Sequence, residues 1–287
     1  MARPRFDGIS EARRADGQLI YRARVRTDHH GFRISSFDEN EMLRPQHILL
    51  MGCSMMWGEG LNDEESLAFQ LNGAQKEYSA FNRGFPGQGP IEVFLQMQRP
   101  EFVKDVAQER GIGAYFFIPN HIDRTIGTMG IFRSWGRNLH AFHFENENLV
   151  PKGPFVQEEP VRYWLLRFFS HSAIFAKFGI DLPIKREEHY VLFSQIIREI
   201  KREYLQLKPQ GRFVFVFLPT NSEEVARLQP YLAQMEIEYL PYHKGPTFDQ
   251  LTSEQTAIPY DGHPTQEYNR LLVKVLKTDL LGESTDR

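Results

Sequence analysis

Cysteine is nearly absent. Cys53 is the only one in 287 residues, so no internal disulfide can form and no cysteine-rich zinc site can be built. The redox compartment is left open by that count. No apolar run approaches the roughly 20 residues that a membrane-spanning helix needs, which excludes a transmembrane segment of that kind. A basic excess is also lacking: 34 Lys and Arg stand against 37 Asp and Glu, for a formal charge of -3. Nothing is left over to neutralise phosphates, so no nucleic-acid partner is expected. The opening Met1-Ala2-Arg3-Pro4-Arg5-Phe6 carries charge but no apolar stretch, and no signal peptide is visible. The cytoplasm is then the default compartment, and an extracytoplasmic one follows if a leader has been removed. There is no internal repeat and no low-complexity tract.

What is present is an alternation of short apolar runs with helical segments. Apolar strands are expected at 47–52, 78–82, 114–118, 213–218 and 237–240. Helices are expected at 62–75, at 91–109 with a bend or break at Pro100, at 185–207, at 222–235 and at the C-terminal end. The strand Phe213-Val214-Phe215-Val216-Phe217-Leu218 is apolar throughout, as strands buried on both faces are. This pattern predicts a single α/β domain over 1–287, a three-layer α/β/α sandwich with a central parallel sheet. Two parts stand outside it. Residues 1–45 read as a loose polar arm to about 17, then a β-hairpin turning at Thr27-Asp28-His29-His30-Gly31. Residues 121–185 read as an aromatic-rich insertion, part cap and part packing, with a helical stretch at 161–178. His29 and His30, adjacent in a strand-like segment, would point to opposite faces and read as a solvated turn, and His140 and His143, with no carboxylate or cysteine at ligand spacing, read as exposed loop histidines.

The chain is organised around His47–Gly60, HILLMGCSMMWGEG. A buried strand breaks at Gly52-Cys53-Ser54, and a helix start follows at Asn62-Asp63. A serine where a parallel strand gives way to a helix lies at the carboxyl edge of the sheet, where open α/β folds bind ligands. Ser54 is therefore a candidate nucleophile. Three more loops end at the same edge. Arg83–Pro90 has three glycines and two prolines in eight residues, which leaves backbone N–H groups bare. Asn120 follows the third strand, and Asp261-Gly262-His263-Pro264 precedes the last helix.

These four segments, in this order, resemble the blocks of the SGNH (GDSL-like) hydrolase superfamily. Gly52-Cys53-Ser54 followed by Gly58 looks like the first block, and Asn82 leading to Gly87 like the second. Pro119-Asn120-His121 looks like the third, and Asp261-Gly262-His263-Pro264 like the last. Cys53 stands in place of the usual Asp, Asn120 lacks the neighbouring Gly and Asp, and one residue rather than two separates Asp261 from His263. The resemblance covers about 48–280 and implies a flavodoxin-like fold and a serine esterase. In it Ser54 would be the nucleophile, His263 the general base and Asp261 the residue that orients the imidazole, with a main-chain carbonyl as the alternative. The Ser54 N–H, the Gly87 N–H and the Asn120 amide would form the oxyanion hole. The implied substrate is a small-molecule or carbohydrate ester, most simply an acetyl ester. No metal, nucleotide, flavin or other cofactor is implied, and the glycines of 84–89 do not have dinucleotide-binding spacing. An O-acyltransferase on the same site, or a binding module that keeps the fold without chemistry, is the alternative. Oligomeric state is left open.

Overall fold

The structure, a computed structural model, describes residues 6–218, 222–242, 248 and 251–282. Five strands make the central sheet: β3 (Gln46–Gly52), β4 (Tyr78–Gly84), β5 (Arg110–Phe117), β8 (Gln210–Phe217) and β9 (Glu238–Pro241). Their spatial order is β4-β3-β5-β8-β9, and every pairing is parallel. Numbered within the sheet this is 2-1-3-4-5, the flavodoxin-like order. The three-layer sandwich expected from the sequence is therefore the fold of the chain.

The strand period of two builds both faces of the core. Leu49, Met51, Tyr115, Phe117, Phe215 and Phe217 point to one side, where α3 (Pro90–Met97), α9 (Glu187–Leu207) and α10 (Ser222–Gln234) pack. Their neighbours Ile48, Leu50, Ala114, Phe116, Val214 and Val216 point to the other, against α2 (Leu67–Ala74) and the final helix Gln266–Asp279. On the first side Phe117 meets Phe193 and Phe217 edge-on at 5.3 and 5.7 Å between ring centroids. Such pairs add about 0.5–1.5 kcal/mol each beyond the area they bury.

One buried polar group ties the amino end of the sheet. His47 Nδ1 lies 3.0 Å from the Gln108 carbonyl and Nε2 lies 2.9 Å from the Tyr204 hydroxyl. A carbonyl only accepts, so Nδ1 carries the proton and Nε2 accepts from the tyrosine. Burial, then the charge of Lys208, push this imidazole from 6.5 down to about 4. The folded state thus refuses a proton that the unfolded chain binds below pH 6.5. Stability is expected to fall by about 3 kcal/mol between pH 6.5 and 4 on this account, at 1.36 kcal/mol per pKa unit. Urea unfolding across that range checks it: His47→Gln should flatten the acid limb, and an unchanged slope would refute the assignment.

Outside the sheet the structure corrects several expectations. The arm is not loose where it is described. β1 (Asp7–Arg13) pairs antiparallel with β2 (Leu19–Arg26), and the turn lies at 14–18 with Gly17 at φ +86°. Residues 1–5 lie outside the described residues. Only an isolated bridge, Thr27 to Arg33, remains of the expected second half of the hairpin. His30 is buried rather than solvated. α3 ends at Met97, and Pro100–Phe102 forms one 3-10 turn, so the helix does not resume after the proline.

The 121–185 segment contains a two-stranded sheet as well as helices. β6 (His140–Glu145) pairs with β7 (Asn148–Pro154). Around that pair lie α4 (Asn120–Ile126), α5 (Met129–Ser134), α6 (Phe155–Glu158), α7 (Pro160–Phe169) and α8 (Ala173–Lys177). β6 and α5 to α8 share a small core of their own, with Phe132, Phe155 and Tyr163 at its centre, while Ile122 of α4 belongs to the main core. His140 is part of β6, and its backbone N–H donates to Glu92 Oε1 at 2.8 Å.

Candidate active site

The order of the sheet reverses between β3 and β5, and the crevice at their carboxyl ends is where such folds bind ligands. Ser54 leaves β3 at that point as the first residue of the one-turn helix α1 (Ser54–Trp57). Two glycines let this turn exist. Gly52 sits at φ +152°, and a Cβ there would meet Met56 Cγ at 3.0 Å and the Phe116 carbonyl at 3.1 Å. Gly84, its register partner on β4, runs under the turn: a Cβ would lie 2.7 Å from both Met56 Cβ and the Trp57 nitrogen. Backbone cannot yield as a side-chain tip can. Gly84→Ala is expected to cost about 1–3 kcal/mol, the usual penalty of overpacking, and to lower any Ser54-dependent activity as well. Thermal unfolding together with an aryl acetate assay checks both, and a variant as stable as the parent would show that the turn has slack.

Buried polar side chains then pin the turn. Asn82 Nδ2 donates to the Met56 carbonyl at 2.8 Å, while its Oδ1 accepts from the Gly84 N–H at 3.1 Å. Arg33 is fully buried. It donates to the carbonyls of Trp57, Gly58 and Leu61 at 2.8, 2.5 and 2.6 Å, and its Nε faces Asp63 at 3.2 Å. The last carbonyls of a helix have no partners of their own, and here a guanidinium supplies them. The sequence marks Asn82 as part of a motif but gives no sign of Arg33, whose partners lie 24 to 30 residues away.

Asp261 and His263 come together. Asp261 Oδ1 lies 2.5 Å from His263 Nδ1 and also accepts the His263 backbone N–H at 3.2 Å. The loop folds back on itself to allow this with one residue between them. The Ile258 N–H donates to the His263 carbonyl at 2.8 Å, Ala257 bridges Pro264, and Gly262 takes φ +87° with open space around it. Both side chains are partly buried. Among the described residues no hydrogen bond joins Ser54 Oγ to His263. Catalytic contacts of this kind often tighten only with substrate in place.

The three expected oxyanion donors differ in setting. The Ser54 N–H belongs to the first turn of α1 and has no intrahelical acceptor. Gly87 stands at φ +77° in its loop, and the Trp135 ring lies 3.2 Å from where a Cβ would be. Asn120 is the first residue of α4 and is exposed to solvent. Its neighbour His121 is core: buried, 2.9 Å from the Tyr115 hydroxyl, and held well below the ordinary histidine range by burial.

From Gly87 a cleft of about 1050 Å³ opens between Phe85, Gln96, Trp135 and His30. Within it His30 Nδ1, Gln88 Oε1 and Gln96 Oε1 are buried without a protein partner. Such atoms are normally satisfied, but these three have almost no accessible surface and so are not open to a molecule in the cleft. Sequence reasoning missed the cleft, because four separate segments contribute.

The N-terminal hairpin braces the other side of the site. Tyr21 and Ser10 hydroxyls both donate to Glu59 Oε1, at 2.7 and 3.1 Å, and the Glu59 N–H donates to the Ser54 carbonyl at 3.1 Å. Gly60 is wedged between Tyr21 and Ile258, and the Arg14 guanidinium stacks 4.4 Å over Tyr260. The turn of Ser54 and the loop of Asp261 thus lean on the same two strands.

Fold and site together define a flavodoxin-like α/β/α protein with a serine at the switch point and an Asp–His pair on the loop before its last helix. Among solved structures the chain is similar to a member of the lipolytic protein G-D-S-L family from Veillonella parvula DSM 2008, at 11% identity over 82% of this chain and 98% of that one, TM-score 0.47. It is also similar to an acetyl xylan esterase from Geobacillus stearothermophilus, at 10% identity over 85% and 98%, TM-score 0.43. A third similar structure is an alpha/beta hydrolase enzyme from the metagenome of Lake Arreo, Spain, at 8% identity over 82% and 94%, TM-score 0.45. No protein-family model and no curated protein matches the chain. Likeness at this level says nothing of substrate or reaction.

Proposed function

We propose that the chain is a serine esterase of the SGNH type, acting on an acyl ester, most simply an acetyl ester of a carbohydrate. The observation that carries this is the 2.5 Å contact of Asp261 with His263 Nδ1, in a molecule that also presents Ser54 at the switch point. With Nδ1–H held by the carboxylate, Nε2 is the basic nitrogen and can take the Ser54 proton. Ser54 Oγ would attack the ester carbonyl carbon. The resulting oxyanion would meet the N–H groups of Ser54 and Gly87 and the amide of Asn120, donors of a kind worth about 3–4 kcal/mol each in the transition state. Collapse would expel the alcohol, which takes its proton from His263 and leaves an acyl-serine, and water would reverse these steps. The cleft beyond Gly87 gives room for the alcohol part of such an ester, with Trp135 on its wall.

A fluorophosphonate probe tests the reading. Ser54 should be labelled in the folded protein and identified by peptide mass spectrometry. A folded chain left unlabelled would favour the binding-module alternative. Turnover of an aryl acetate with and without a sugar acceptor separates the hydrolase from the acyltransferase.

A further inference from the structure

The insertion carries an apolar surface that the site does not use. Fifteen large hydrophobic residues are exposed among the described residues, and eight of them fall between Val161 and Ile184. Val161, Trp164, Leu165 and Phe168 repeat at steps of three and four, so they share the outer face of α7. Val161 and Phe168 are 80% and 74% exposed. The inner face, Tyr163 and Leu166, is buried in the insertion's own core. The patch continues into α8, because Phe168 touches Phe169, Phe169 touches Phe175, and Ile174 and Phe178 are exposed beside it. Monomers rarely leave apolar patches beyond about 300–600 Å² without a role.

Charge tells which partner fits. Across Glu158–Glu188 the five cations Arg162, Arg167, Lys177, Lys185 and Arg186 are matched by five acids, Glu158, Glu159, Asp181, Glu187 and Glu188, so any bias lies in which cations are left unpaired. Three of the five are used internally: Arg162 and Arg167 donate to the Ile126 and Phe132 carbonyls, Arg162 also pairs with Glu159, and Lys185 pairs with Asp123 and Glu224. Asp181 is used too, accepting the Gly130 N–H. Lys177 and Arg186 are exposed and, like the nearby Arg133 and Arg137, make no ion pair among the described residues. A Trp and Phe face rimmed by free cations is the composition of a helix lying in the interface of an anionic bilayer. A two-fold contact with a second copy would set the same cations against themselves, which disfavours self-association.

We propose that α7 and α8 dock the protein on anionic lipid surfaces, with Trp164 and Phe168 entering the interface. α7 is fastened to α5 by the Arg167 bond, and α5 leads into Trp135 beside Gly87. Docking would therefore hold the cleft close to the bilayer. The proposal stands on the patch alone and does not depend on the esterase reading.

Vesicle flotation of the full chain tests it, with phosphatidylcholine vesicles containing about one third phosphatidylglycerol against vesicles of phosphatidylcholine alone. Binding is expected to the anionic vesicles, to weaken at high salt, and to drop at least tenfold in Trp164→Ser/Phe168→Ser and several-fold in Lys177→Glu. Both variants change exposed side chains, so the thermal transition and fluorophosphonate labelling should stay as in the parent. No partition onto anionic vesicles would overturn the proposal. So would a dimer seen by light scattering that the double variant dissolves, since that would make the patch a contact between copies.

Discussion

Ser54→Ala is expected to abolish ester hydrolysis and to leave the unfolding transition where it is. The second half follows from the geometry. Ser54 Oγ makes no hydrogen bond among the described residues, and its side chain is only partly buried. The turn is held instead by Gly52, Gly84, Asn82 and Arg33, none of which touches the hydroxyl. The first half follows from chemistry: without Oγ there is no acyl intermediate, and what remains is binding and oxyanion stabilisation. A loss of about four to six orders of magnitude in kcat is expected, by analogy with other serine hydrolases. His263→Ala should cost as much, and the double variant hardly more, because nucleophile and base act as a unit. Activity within tenfold of the parent after removal of Ser54 would end the assignment. Additive losses would mean that the two residues do not cooperate.

Asp261→Asn is expected to have the next largest effect. The carboxylate accepts from His263 Nδ1 at 2.5 Å. An amide at the same place can turn its NH₂ toward the ring, and the imidazole then keeps its proton on Nε2, the wrong nitrogen for a base. The expected loss is about four orders of magnitude in kcat, with little change in KM. Asp261 Oδ1 also accepts the His263 N–H, so some loss could come from a relaxed loop. Asp261→Ala separates the two effects. If orientation and charge dominate, alanine should lose as much as asparagine or less, since it imposes no wrong tautomer. A loss below tenfold for asparagine would give the orienting role to a main-chain oxygen instead.

Much of the fold is legible in the sequence because burial is periodic there. Phe213–Leu218 can be nothing but a covered strand, and Tyr190, Phe193, Ile197, Ile200 and Tyr204 trace one face of α9. β1 escapes notice because both its faces are wet: its side chains alternate between exposed and half-exposed, never buried, and its partner is found only by folding. β6 and β7 escape because β6 is short, with only Phe142 and Phe144 as large apolar residues, and β7 holds two prolines and a glycine in seven residues. At the site, residue types are legible and geometry is not. Asp261 and His263 stand out as acid and base, yet the contact depends on Gly262 at positive φ and on the Ile258 to His263 bond. Arg33 shows the limit most plainly. A lone arginine after a turn looks like surface until its guanidinium finds three carbonyls and a carboxylate that lie far along the chain.

The bracing of the site by β1 and β2 has a consequence for how the molecule opens. A two-stranded hairpin has little stability of its own and persists here through Tyr21, Glu59, Gly60 and the stacked Arg14. The 257–264 loop rests on the same contacts from the other side. Neither can loosen alone without stripping the other of its support. In native-state hydrogen exchange the two should therefore behave as one foldon. Amides of β2 and the Ile258 amide would exchange with a common opening free energy, below that of the β3 and β5 amides. Cutting the chain back to the sandwich would remove half of that cooperative unit, and the active-site loop would be the half left behind.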